Sequence, residues 1–99
     1  MELKKGVKVK GIQPEILLGA MIAKSCFNDH GYQFILTAVT DGQHMEGSKH
    51  YIGQAIDIRT RHIPEDYRKT VTDDLKRRLT VDYDVVVHST HCHLEYDEK

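Results

Sequence analysis

Apolar residues in this chain recur in two rhythms, one helical and one strand-like. From Pro14 onward, Ile16, Ala20, Ala23 and Phe27 return at steps of three or four, with Leu17 and Met21 beside them. Residues so spaced share one face of a helix, so the pattern predicts a mostly core-facing helix. Pro14 stands at the first helical position, where a missing N–H leaves no hydrogen bond unmade. Asn28-Asp29-His30-Gly31 carries the turn chemistry that ends it. A second helix is predicted from Pro64, with Tyr67, Val71, Leu75 and Leu79 as a narrow apolar stripe among charged faces.

The strand-like rhythm fills the rest. Tyr32 to Val39 is β-branched and aromatic, as strands are. Gln54 to Thr60 alternates, which sends Ile56 and Ile58 to the core and Ala55, Asp57 and Arg59 to the other side. Tyr83 to His88 and His91 to Tyr96 are predicted strands joined by a tight Ser89-Thr90 turn. On the last of them His91, His93 and Glu95 share one face, with Cys92 and Leu94 on the other. Asp57 and His93 can therefore face a common side of one sheet. Lys4 to Gly11 reads as basic and irregular, with a short strand near Val7 and Val9, and Thr40 to Lys49 reads as a loop. No linker or repeat divides the chain. The expectation is a single α+β domain over residues 1–99, with a small antiparallel sheet and two flanking helices.

Charge narrows the partners. A net charge of −1 gives no basic excess of the kind nucleic-acid binders show. Lys76-Arg77-Arg78 is short, sits among acids and reads as a solvated helix face. Neither a secretory signal nor an apolar run long enough to span a bilayer is present, so the expectation is a monomer made in the cytoplasm, without membrane insertion. Any action outside the cell would then need lysis or another export route. Cys26 and Cys92 make no disulfide framework. Cys26 reads as a small core residue and Cys92 as a packing residue, because a strand points it away from His91 and His93.

The candidate chemistry lies in Ser48-Lys49-His50-Tyr51-Ile52-Gly53-Gln54-Ala55-Ile56-Asp57 and in His91-Cys92-His93. Two imidazoles and a carboxylate suit zinc, and a catalytic zinc keeps three protein ligands and one open position. His50, Asp57 and His93 are the expected ligands. Gly53 lets the chain turn between His50 and the Asp57 strand. A proton acceptor must stand nearby. His88 and His91 are the first candidates, with Glu95 and Glu46 behind them. His30 and His62 read as surface residues, and His44 as an outside candidate for substrate contact.

The segment from Gly42 to Arg59 resembles the D-alanyl-D-alanine metallopeptidases, which share a fold with lysostaphin-type peptidases and the hedgehog signalling domain. The likeness rests on Ser48-x-His50-x-x-Gly53-x-Ala55-x-Asp57 and the closing His91-x-His93, and is strongest to small phage and bacterial members. Asp41-Gly42-Gln43-His44 and Tyr83-Asp84-Val85-Val86 extend it. The resemblance implies zinc on His50, Asp57 and His93, a catalytic role for His91, and a peptidoglycan amide bond as substrate. Small members usually carry Glu or Asp just before the final histidines, where this chain has His88, Ser89 and Thr90. Some related murein endopeptidases use His-x-x-His-x-His, which His88, His91 and His93 reproduce, so His88 is the expected base. Many members also place an arginine upstream of the Ser to steady the oxyanion. Here that loop offers Gln43, and Arg59 and Ser48 are the other substrate or oxyanion candidates. The rival expectations are a zinc hydrolase of esters or phosphoesters, and a zinc-binding structural or phage module that has lost its base.

Overall fold

Helix α1 runs Pro14–Asp29, and its Ile16, Ala20, Ala23 and Phe27 are all buried, as their spacing requires. The chain is described here from a computed structural model, over residues 2–39 and 53–98. Gly31 takes a φ of +83°, a conformation a side chain would strain, and Tyr32 N–H returns to the Phe27 carbonyl at 2.9 Å. Helix α2 runs Glu65–Arg78. Glu65 and Asp66 stand in its first turn and Lys76, Arg77 and Arg78 in its last, which suits the helix dipole at both ends. Val71, Leu75 and Leu79 are buried, while Tyr67 at the head of the stripe stays partly exposed.

Five strands form one sheet: β1 Glu2–Leu3, β2 Ile35–Ala38, β3 Ala55–Arg59, β4 Tyr83–Val87 and β5 His91–Tyr96. Their order is β1-β2-β3-β5-β4. The expected antiparallel sheet is in fact mixed, because β1 pairs with β2 in parallel. The amino-terminal strand also lies at Glu2–Leu3, ahead of the expected Val7 and Val9. Two residues suffice because the amides on either side of Leu3 reach β2 and its start: Glu2 N–H donates to Phe34 O at 3.1 Å and Lys4 N–H to Leu36 O at 2.9 Å.

Ile56 and Ile58 on β3, and Cys92 and Leu94 on β5, pack in one core with α1 and α2. Phe27 and Phe34 meet edge to face within it, with centroids 5.7 Å apart. Helix α1 comes so close to the sheet that a Cβ on Gly19 would lie 2.8 Å from the Tyr83 ring and 3.3 Å from Leu94. Tyr83 also donates its hydroxyl to the Glu15 carbonyl at 2.6 Å.

The two helices are joined by a polar clamp. Asp74 of α2 accepts from His30 Nε2 at 2.8 Å and from Arg78 at 3.0 Å, and pairs with Arg77. Arg78 reaches across to Asp29 of α1 at 2.8 Å, and His30 Nδ1 lies 3.0 Å from the Tyr67 hydroxyl. Two sequence expectations change here. Arg78 is part of an interhelical bridge, although Lys76 and Arg77 are exposed as expected. His30 is drawn in by α2 and is only partly exposed. His62 is likewise only partly exposed, with Nε2 2.8 Å from the Gln33 carbonyl.

Two outcomes follow. Gly19→Ala forces the Tyr83 ring aside and is expected to lower stability by about 1–3 kcal/mol, the usual scale of overpacking, measured by urea unfolding. The clamp should be acid-sensitive. Hydrogen bonds from His30 first, then Arg78, hold the Asp74 carboxyl well below the usual carboxylate range. Its stabilisation is therefore present above the unfolded value of about 3.9 and is lost as pH falls through the depressed folded value. Unfolding curves of wild type and Asp74→Asn should converge at the acid end and separate above about pH 4. A constant separation across that range would remove Asp74 as the cause.

Candidate metal centre

Strands β3 and β5 are antiparallel, with Asp57 opposite His93 and Arg59 opposite His91. Opposed residues in such a pair point to the same face. Because Ile56, Ile58, Cys92 and Leu94 face the helices, Asp57, Arg59, His91, His93 and Glu95 occupy the face away from them. His93 Nδ1 lies 3.0 Å from Asp57 Oδ1 and Nε2 2.9 Å from Glu95 Oε1, both within hydrogen-bond reach. All three side chains are mostly buried. The hydrogen bond to Asp57 lifts the His93 pKa above its ordinary value; burial works against this and Glu95 adds to it.

The neighbouring strand is shaped to this point. The β2–β3 register shifts between Leu36 and Ala38, so that Ala38 lies opposite Asp57. Bulges of this kind re-aim side chains beside functional sites. Thr37 Oγ1 donates to the Asp57 carbonyl at 3.4 Å. A cleft of about 290 Å³ opens here, lined by Lys4, Thr37, Asp57, Arg59, Arg61, Thr90 and His91.

The hairpin that carries the histidines is anchored from outside. Ser89 and Thr90 form its loop, as expected, and His88 N–H donates to the His91 carbonyl at 2.8 Å. Thr60 and Arg61 N–H groups both donate to the Thr90 carbonyl, at 3.0 and 3.1 Å. Arg68 of α2 ties the same region together, donating to the carbonyls of Ile63, Arg61 and Ser89 at 2.8, 3.1 and 3.3 Å. His91 lines the cleft, with Nδ1 3.3 Å from Thr90 Oγ1. His88 is exposed, stacks on the His91 ring at 4.7 Å, and does not line the cleft.

Asp57, His93, His91 and Arg59 thus come together. His50, Ser48 and Gln43 lie outside the described residues, as do His44 and Glu46. Gly53, at the end of that stretch, has a φ of +73°, and a Cβ there would lie 2.1 Å from the Gly11 carbonyl oxygen. Glycine alone fits this conformation and this close approach. Glu95, expected on the His93 face as a reserve proton acceptor, is instead set against the far ring nitrogen of His93 by its i, i+2 position on the strand. Arg68 gave no sequence signal, because its acceptors are all main-chain carbonyls.

Cys92 is fully buried on the helix side, and burial pushes its thiol up to about 12. It packs, as expected. Among the described residues, two groups bring three metal-ligating atoms within 4.8 Å of one another, and neither contains Asp57 or His93: Cys26, His30 and Asp74, and Asp84, Glu95 and Asp97. The first has metal-ligand chemistry but is occupied by the helix clamp. Burial pushes the Cys26 thiol up to about 11, and two guanidiniums already neutralise Asp74. A cation there would meet both arginines. The second group is a run of carboxylates without an imidazole.

No helix of the described residues is long and apolar enough to cross a membrane. Compared with protein-family models, with curated proteins and with solved structures, the chain finds no match.

Proposed function

We propose that this protein is a zinc-dependent hydrolase that cleaves an amide bond in peptidoglycan peptides, as a D,D-carboxypeptidase or a murein endopeptidase. The observation that carries the reading is the Asp57–His93–Glu95 chain of contacts on the sheet face away from the helices. A ligating histidine usually gives its second ring N–H to a carboxylate, which fixes the ring for the metal. Glu95 stands where that carboxylate would be.

The donor set fits zinc. Asp57 Oδ1 and His93 Nδ1 would hold it together with His50, which lies outside the described residues. Tetrahedral zinc with bonds of about 2.0–2.1 Å sets neighbouring ligand atoms about 3.3 Å apart. The present contact of 3.0 Å needs only a slight opening, with loss of the proton between them. Zinc bound there supplies Lewis acidity toward an amide carbonyl and activates water for attack.

The chain's own residues divide the remaining work. His91 faces the cleft, and it takes the proton of the attacking water and returns it to the leaving amine. His88, the base that the resemblance implies, becomes a support for the His91 ring in this reading, because it stacks on that ring outside the cleft lining. Arg59 stands opposite His91 and offers its guanidinium to charge developing on the carbonyl oxygen. Gln43 and Ser48 are further candidates for that contact.

Isothermal titration of the metal-free protein is expected to show one zinc per chain, abolished by Asp57→Ala and by His93→Ala. His91→Ala should keep zinc while hydrolysis of peptidoglycan peptides falls on the order of 10²-fold or more. Wild-type protein with no affinity for zinc would overturn the proposal.

A further inference from the structure

The two edges of the sheet are unlike. At one end β1 is only Glu2–Leu3, and a very short edge strand discourages pairing with other chains. At the other end β4 runs Tyr83–Val87 without proline or lysine, and its outer side pairs with no strand among the described residues. Val86 and Val87 are each 47% exposed, and Val81 just ahead of the strand is exposed as well.

Hydrogen bonds on the inner side of β4 show which main-chain groups the edge offers. His88 N–H donates to His91 O, and Asp97 N–H donates to Asp82 O. In antiparallel pairing such bonded positions recur at every second residue. Residues 82, 84, 86 and 88 therefore bond inward to β5, and the N–H and C=O groups of Tyr83, Val85 and Val87 point outward. Tyr83 N–H already donates to Thr80 O at 3.1 Å. Val85 and Val87 keep both groups for a further strand.

We propose, against the monomer expected from the sequence, that β4 is a self-pairing edge through which two copies of this chain join antiparallel into one continuous sheet. The strand itself selects the register. With Val85 opposite Val87 of the second copy, the N–H groups of both valines donate to the opposite carbonyls in each direction. Val86 then meets its own counterpart on the cleft face, and Asp84 meets His88, an acceptor beside a donor. Slipping toward the start of the strand sets Asp84 against Val86 and calls on the Tyr83 amide, and slipping further opposes the two Asp84 carboxylates. Slipping the other way sets Val86 against His88. The edge is thus complementary to itself, which favours a second copy over a foreign peptide strand. Two-fold pairing uses the same edge of both copies, so assembly closes at the dimer. It also reaches the cleft: His88 stacks on His91, which lines the cleft, and Asp84 of the second copy braces that ring pair from outside.

Sedimentation equilibrium of the full chain, over on the order of a hundredfold range of concentration, is expected to show the mass rising from 11.4 kDa toward twice that value. V86K sets two ammonium groups face to face on the axis and should stay monomeric throughout while keeping the wild-type far-ultraviolet circular dichroism. V86C tests the register independently. Cys26 and Cys92 are buried, and side chains facing each other at a non-hydrogen-bonded antiparallel position are close enough for a disulfide. Under mild oxidation V86C should cross-link to dimer about tenfold or more faster than V81C, a more exposed position that does not face its counterpart. A wild-type mass that stays at 11.4 kDa, as it would if the edge only takes foreign peptides, overturns the proposal. So does growth beyond the dimer, dimerisation that survives in V86K, or equal cross-linking of V86C and V81C.

Discussion

The register between β3 and β5 is the constraint on which the rest depends. Asp57 opposite His93 and Ile58 opposite Cys92 are one geometric fact seen from two faces. Burial of Ile56, Ile58, Cys92 and Leu94 against the helices fixes the register, because a slip of one residue would turn every side chain to the wrong face. The apolar residues therefore place the polar ones. An imidazole between two carboxylates would be hard to assemble on mobile segments, and here it is held by a sheet whose other face is the core.

Support reaches this frame from both helices. Gly19 lets α1 lie against Tyr83 and Leu94, and the Asp74 clamp binds α1 to α2. From α2, Arg68 then holds the loop after β3 and the hairpin turn that carries His88 and His91. The polar face inherits its rigidity by this route, from core to helix to loop. The clamp also explains why Cys26, His30 and Asp74 lie close together without forming a good cation site: their negative charge is already matched by arginine.

What could be read from the sequence was whatever local periodicity controls. The start of α1 at Pro14, the buried stripe of α2, the Ser89-Thr90 hairpin and the common face of Asp57 and His93 all follow from spacing within a segment. Features that need distant partners were not legible. The parallel β1–β2 pairing joins Glu2 to Ile35 across the whole of α1, and nothing in a two-residue strand announces it. Arg78 and His30 looked like surface residues because their partners lie 49 and 44 residues away. The separation of His88 from the cleft depends on how the hairpin end stacks, which spacing does not encode.

Cobalt(II) titrated into the metal-free protein tests the central claim most directly, because its visible spectrum reports both coordination geometry and thiolate ligation. The account predicts one equivalent bound with a tetrahedral spectrum lacking thiolate charge-transfer bands, lost in Asp57→Ala and unchanged in Cys26→Ala. Cobalt that stays in its hexaaqua form, or a thiolate band that Cys26→Ala abolishes, would contradict it.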